Sequence, residues 1–238
     1  MANKMRRLVW VGPILLVGAL MAAWWSGGEE GIEGSAARPD PVDLARAHAQ
    51  DHPGPGKEDQ KGDDARPFPP QWWGEYPGRE TLDSGEVITQ SEAKGDLRIN
   101  RAEGVIEAAP ADVFAAITDY ADYPDYMPDT VVCRIDERDG FKYQVHQEVE
   151  VAFKRVSYDI LIEHQADGMG TSWRSTGGDL EVNEGSWSIL QLGPKKCLVV
   201  YRLRLVPGFW IPQSIADRLL RRSLPGVIKA VRERSLQE

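Results

Sequence analysis

Between residues 141 and 153 the chain reads FKYQVHQEVEVAF, and apolar and polar positions alternate one by one. Val145, Val149, Val151 and Phe153 fall on one face with Gln147 among them, while Gln144, His146, Glu148 and Glu150 fall on the other. A period of two is the mark of a half-buried strand. VSYDILIEH (156–164) repeats it, with Tyr158, Ile160, Ile162 and His164 together. So does CLVVYRLRLV (197–206), where Val199, Tyr201, Leu203 and Leu205 oppose Arg202 and Arg204. GEVITQSE (85–92), RINRAEGVIEA (98–108), TVVCRIDE (130–137), GMGTSWRSTGG (168–178) and SWSILQLG (186–193) read as further strands, and Arg138-Asp139-Gly140 as a hairpin turn. Such a series predicts an antiparallel sheet with one covered face and one wet face.

The period changes to 3.6 in two places. In APADVFAAITDY (109–120), Pro110 suits the first helical turn and Asp112 adds favourable charge there, while Val113, Phe114, Ile117 and Tyr120 share a face. Tyr123-Pro124 starts a second short turn that Pro128 stops. Near the C-terminus, Ile215, Leu219, Leu220, Leu224, Val227, Ile228 and Val231 form one apolar stripe. Ser214 and Asp217 have capping-box spacing, and Pro225-Gly226 predicts a kink in the middle. The expected fold is α+β: a curved antiparallel sheet of about seven strands wrapped on a long C-terminal helix. Two small helices close one end of the gap between them.

The first 79 residues follow neither period. Lys4, Arg6 and Arg7 precede eighteen residues without a charge, Leu8 to Trp25, about the length that spans a bilayer as a helix. Trp10, Trp24 and Trp25 lie at its ends, where indole rings favour the membrane interface. An uncleaved transmembrane anchor is preferred to a cleaved signal peptide, because two tryptophans follow Ala23 where a cleavage site needs small residues. The cations before the span and Glu29, Glu30 and Glu33 after it predict a single-pass protein of the inner membrane with its C-terminal domain on the extracytoplasmic side. Signal cleavage would instead give a periplasmic or secreted protein. Residues 26–79 hold nine glycines, eight prolines and eleven acids against six bases, the composition of a disordered linker. Within it, PFPPQWWGEYPG (67–78) carries Trp72, Trp73 and Tyr76, expected to close the edge of a folded domain spanning 80–238.

Charge and chemistry then narrow the function. A formal charge of −9 and a pI of about 5.1 argue against nucleic acid as a partner. Cys133 and Cys197 lack metal-site spacing and read as buried thiols, with a single disulfide as the alternative. Neither GxSxG, HExxH nor a glycine-rich phosphate loop is present. No cofactor and no metal is expected. Asp119, Asp122, Asp125 and Asp129 read as a solvated acidic rim, and the six bases of 213–238 as a solvated helix face.

Three stretches carry a family resemblance: AEGVIEAAPADVFAAITDYADYPDYMPD, VNEGSWSIL and VPGFWIPQSIADRLLRRSLPGVIKAVR. Over roughly 85–235 the chain resembles the START and polyketide-cyclase-like (SRPBCC) superfamily, close to bacterial members related to the coenzyme Q-binding proteins. The resemblance implies a helix-grip fold that holds a hydrophobic molecule (lipid, quinone or polyketide) between sheet and helix. Many relatives have Arg-Asp where this chain has Tyr158-Asp159, so no arginine anchor for a ligand headgroup carries over. The candidate lining is Phe114, Tyr126, Met127, Val149, Val151, Phe153, Tyr158, Ile160, Ile162, His164, Trp173, Trp187, Tyr201, Leu203, Ile215 and Leu219. The same positions would also describe a filled core. The expectation is membrane-tethered binding or transfer of a hydrophobic molecule. The alternatives are a cyclase- or aromatase-like enzyme, for which no inward acid–base pair is evident, and a protein-interaction module with a solid core.

Overall fold

The alternating segments pair into a single antiparallel sheet with the strand order β1-β2-β8-β7-β6-β5-β4-β3. The computed structural model describes residues 38–51, 68–94, 97–151, 154–209 and 213–237, and for 48–51, 93–94, 97–98 and 213–221 the backbone alone. The strands are β1 (Ile88–Lys94), β2 (Leu97–Ile106), β3 (Thr130–Asp139), β4 (Lys142–Val151), β5 (Lys154–His164), β6 (Gly170–Gly178), β7 (Leu180–Gly193) and β8 (Lys196–Pro207). The helices are α1 (Pro41–Asp51), α2 (Gln71–Gly74), α3 (Arg79–Asp83), α4 (Pro110–Thr118), α5 (Tyr123–Tyr126) and α6 (Gln213–Ser235), with a 3-10 turn at Tyr120–Asp122. The sheet has eight strands where about seven were expected, and the lead-in segment is one of them, pairing with β2 from Ile88↔Glu103 to Lys94↔Leu97. At the opposite edge, β3 is bulged twice and exposes Arg134, Asp136, Glu137, Arg138 and Asp139, features that discourage edge-to-edge pairing.

The apolar stripe of α6 packs on the inner face of the sheet. Leu224, Ile228 and Val231 join Ile106, Val113, Ile117, Val145 and Val199 in one core. Gly104 on β2 lets the helix come close: a Cβ there would stand 2.4 Å from Ile228 Cγ2. The helix continues through Pro225, and Gly226 seats it against Pro128, to which a Cβ would lie at 3.1 Å. Two of its cations are not a solvated face but ties. Arg232 donates to the Val105 carbonyl at 3.0 Å and to that of Gly85 at 2.9 Å. Arg234 reaches Asp119 at 3.1 Å and Asp122 at 2.7 Å, so half of the expected acidic rim is spent holding the helix end.

The outer face is wet in the β3–β5 half and covered in the β2–β8–β7 part. Trp72, Trp73, Tyr76 and Leu82 bury themselves there against Val105, Leu192, Leu198 and Val200, with Leu44 and Ala45 of α1 beside them. Trp73 stacks on Tyr76 at 5.5 Å, and Trp72 meets both rings edge-on at 5.9 Å. Beneath the aromatic cover, the Tyr76 hydroxyl donates to Glu103 at 2.9 Å, and Glu103 pairs with Arg101 at 3.0 Å. Asp40 pairs with Arg202 on the adjoining strand. Ordered structure therefore begins well before residue 80, and the tryptophans expected at the domain edge instead build a second core on the back of the sheet. The reason is area: three large aromatic rings bury enough surface to offset the ordering of a segment rich in glycine and proline.

No helix among the described residues is long and apolar enough to cross a membrane. The expected anchor, 8–25, lies outside the described residues, as do 26–37 and 52–67 of the expected linker.

Candidate functional site

Between the inner face of the sheet and the small helices lies a hollow of about 160 Å³. β4 and β5 supply Gln147, Val149, Tyr158, Ile160 and Ile162; β6 and β7 supply Thr171, Trp173, Asn183 and Trp187. β8 adds Tyr201, Leu203 and Leu205, and the opposite side is closed by Ile117, Tyr120, Tyr123, Met127, Pro128, Thr130 and Val227. The two tyrosines nearest the helices are fixed from behind. Tyr123 donates a hydrogen bond to the Ile117 carbonyl at 2.6 Å, and Tyr120 lies 2.8 Å from His164 Nε2. Burial raises the pKa of both well above the ordinary phenol value, the Tyr143 ring adding to the effect at Tyr120 and Tyr120 itself at Tyr123. Both therefore stay protonated.

The polar part of the wall is a ladder across five strands. The Trp173 indole N–H donates to Asn183 Oδ1 at 3.1 Å. Tyr158 donates to Gln147 Oε1 at 2.8 Å, and Gln147 Nε2 donates to Cys133 Sγ at 3.3 Å. Burial, and after it the neighbouring Tyr201 and Cys133, raise the Tyr158 pKa, against a weaker opposing effect of the Asn183 amide. Burial likewise pushes the Cys133 thiol up to about 11. Cys133 and Cys197 are both free and buried. β6 and β7 pair only from Gly170↔Ser188 to Trp173↔Gly185, after which the Ser175 hydroxyl bridges to Asn183, accepting from its N–H at 2.6 Å. Gly185 makes room for the Trp173 ring, to which a Cβ would approach within 2.4 Å.

Of the sixteen residues expected to line the gap, Met127, Val149, Tyr158, Ile160, Ile162, Trp173, Trp187, Tyr201 and Leu203 stand in the wall of the hollow. Phe114, Tyr126, Val151 and His164 do not. Tyr126 turns toward α4, donating to the Ala116 carbonyl at 2.5 Å, with Arg234 5.4 Å above its ring. Phe114 meets His164 edge-on at 5.4 Å, and Val151 packs against the core beyond the hollow. Phe153 lies outside the described residues, as do the side chains of Ile215 and Leu219 on α6. Ten of the wall residues lie outside the expected set, Tyr120, Thr171 and Asn183 among them. Asn183 shares the parity of Trp187, and a strand begun at Leu180 instead of Ser186 would have revealed it.

His164 stacks on Tyr143 at 4.3 Å beside the Tyr120 hydroxyl. Burial first, then the charge of Arg138, lowers its pKa below the ordinary 6.5. The unfolded chain thus takes up a proton that the folded chain resists. Stability from this site is complete above pH 6.5 and is lost as pH falls through and below that value. Guanidinium unfolding from pH 8 to pH 5 should show a midpoint that falls more steeply in the wild type than in His164→Gln. Parallel curves would refute the assignment.

Two other clusters are already internally paired. Asp136, His146 and Asp159 bring ligand-type atoms within 4.8 Å on the wet face, with Asp136 held by Arg134 at 2.7 Å and His146 by Asp159 at 2.8 Å. A cleft of about 310 Å³ on the outer face is rimmed by Glu184, Arg202 and Arg204. There Arg204 pairs with Glu184 and Arg202 with Asp40.

With this geometry in view, a family model described as polyketide cyclase / dehydrase and lipid transport matches residues 106–232. No curated protein matches the chain. Among solved structures it is similar to the Zhui aromatase/cyclase from Streptomyces sp. R1128, at 16% identity and a TM-score of 0.54, over 58% of this chain and 93% of that one. It is similar to the STAR-related lipid transfer protein from Xanthomonas axonopodis, at 18% identity and a TM-score of 0.53, over 63% and 93% of the two chains. A START superfamily protein from Mycobacterium smegmatis shares 20% identity at a TM-score of 0.52, over 58% and 97%. At these identities the likeness is one of fold.

Proposed function

The chain belongs to the polyketide cyclase / dehydrase and lipid transport family, and from that premise we propose that it binds a hydrophobic small molecule in the hollow between sheet and helices, as a carrier. The observation that carries this reading is the hollow of about 160 Å³, walled by aromatic and aliphatic side chains with a few fixed polar groups. A lipid, a quinone or a similar molecule would enter it with its apolar part. A membrane tether formed by residues 8–25 would keep the carrier beside its source of ligand, on the extracytoplasmic side; eighteen uncharged residues after three cations support that placement.

The test is native mass spectrometry on the full-length chain, freshly purified and after incubation with a lipid and quinone extract. An apolar molecule should be carried or taken up. Val149→Phe, which sends a ring into the hollow from β4, should lose it while unfolding at nearly the wild-type temperature. A chain that never carries an apolar molecule, or a variant that carries as much as the wild type, would refute the reading.

A second reading has one observation in its favour. Tyr120 stands in the wall with His164 at 2.8 Å behind it, an acid–base pair of the kind a cyclase- or aromatase-like enzyme needs. The raised pKa of Tyr120 makes it a hydrogen-bond donor before it is a proton source, which favours the carrier. Turnover of a polyketone mimic that disappears in both Tyr120→Phe and His164→Gln would reverse the order.

A further inference from the structure

The wall of the hollow also specifies the chemistry of its occupant. Among the described residues it contains no charged side chain. Most of its polar capacity is consumed within the ladder: Tyr158 is committed to Gln147, Gln147 to Cys133, and Trp173 to Asn183. Tyr201, like Thr171, is not committed in this way. Its ring packs on Trp173 at 5.6 Å and on Trp187 at 4.5 Å, within the same wall, and its hydroxyl makes no hydrogen bond to any described residue. Burial raises its pKa, so it keeps its proton and meets a ligand as a neutral hydroxyl with a donor to give. Tyr201 is half-buried, and a donor in such an apolar wall is costly to leave unmet once a ligand displaces its water.

Size sets a second limit. A dry cavity of about 150 Å³ holds one benzene ring, and this hollow is about 160 Å³.

Building on the ligand-binding reading above, we infer that the hollow takes an uncharged group the size of a single ring, bearing one acceptor oxygen that receives the hydrogen bond of the Tyr201 hydroxyl. A carboxylate finds no cation among the described wall residues, and an ammonium or amidinium finds no carboxylate. Either would lose its hydration without replacement. A ketone, enone or quinone-like carbonyl loses little water and gains the Tyr201 donor.

Four isosteric probes separate these classes by calorimetry on the full-length chain: acetophenone (neutral acceptor), cumene (no oxygen), benzoate (anion) and benzamidinium (cation). Acetophenone should bind about fivefold more tightly than cumene, the worth of one neutral hydrogen bond. Benzoate and benzamidinium should bind at least about a hundredfold more weakly than acetophenone. Tyr201→Phe should bring acetophenone down to the level of cumene and leave cumene unchanged. The wild-type ranking stands as a test even if that variant folds poorly. Tightest binding of benzoate or benzamidinium overturns the charge argument. Equal binding of cumene and acetophenone, or an oxygen preference that survives in Tyr201→Phe, overturns the role of Tyr201. If none of the probes binds while an apolar molecule still co-purifies, the single-ring limit falls and the carrier reading stands. If nothing co-purifies either, both fall.

Discussion

Trp73→Ala is expected to lower the free energy of unfolding by about 4 kcal/mol, the scale of losing a buried large aromatic side chain together with the cavity it leaves. Trp73 is 2% exposed and stacks on Tyr76, whose hydroxyl donates to a Glu103 that is itself 1% exposed. The neighbours cannot collapse into the gap, because they are sheet residues (Leu198 and Val200) fixed by pairing on both sides. With typical domains stable by about 5–15 kcal/mol, such a loss is a large fraction of the total. Urea unfolding followed by far-ultraviolet circular dichroism measures it, and increased binding of a hydrophobic dye would report the uncovered back of the sheet. A loss below about 1 kcal/mol, the level of an ordinary surface substitution, would mean that the aromatic segment is an ornament and that the sheet stands without it. A chain cut to begin at Gly85 should fare worse still, since Val105, Leu192, Leu198 and Val200 would all lose their cover. The family match begins at residue 106. On this account the matched region needs the residues before it in order to fold.

That segment is where sequence reading stopped short, and the reason is physical. Alternation assigns a face to each side chain but does not say what covers the face. In CLVVYRLRLV, Val199, Tyr201 and Leu203 point inward as their parity requires. Leu198 and Val200 share a face with Arg202 and Arg204, and the arginines made that face look wet. The unbroken apolar run from Cys197 to Tyr201 was the opposing signal, because continuous apolar strands are buried on both faces. The cover itself comes from residues more than a hundred positions upstream, in a stretch whose glycine and proline content reads as disorder. Composition averages over a window, whereas two adjacent tryptophans act locally.

The same distinction divides the site. Residues inside one strand, such as Tyr158, Ile160 and Ile162, reach the hollow because a strand holds its parity over many residues. The ladder from Trp173 to Cys133 depends on register across five strands, and bulges between Asp159 and Ile160 and between Ile135 and Glu137 shift that register in ways no single strand reveals. In the aromatic turn, helical rotation decides. Tyr120 and Tyr123 face the hollow while Tyr126 is carried round to α4, although all three look alike in sequence.

The second large effect lies where the helix grips the sheet. Gly104→Ala should destabilise the fold by about 2 kcal/mol, within the range for overpacking a filled core. The new methyl would stand 2.4 Å from Ile228 Cγ2 and 3.3 Å from an Arg232 nitrogen. Ile228 is fully buried, and Arg232 is bound to Val105 on the same strand, so neither can step aside without loosening α6. Ile228→Ala alone should cost about 3 kcal/mol through a cavity. Together the two changes relieve each other: the added methyl enters the space that isoleucine vacates. The double variant should therefore be more stable than the sum of the single losses allows, by about 1–2 kcal/mol of favourable coupling, as expected for residues in contact. Strict additivity would show that the helix and β2 do not meet at this point. It would also remove one of the contacts that hold α6 against the sheet, and with it one support of the helix whose Val227 lines the hollow.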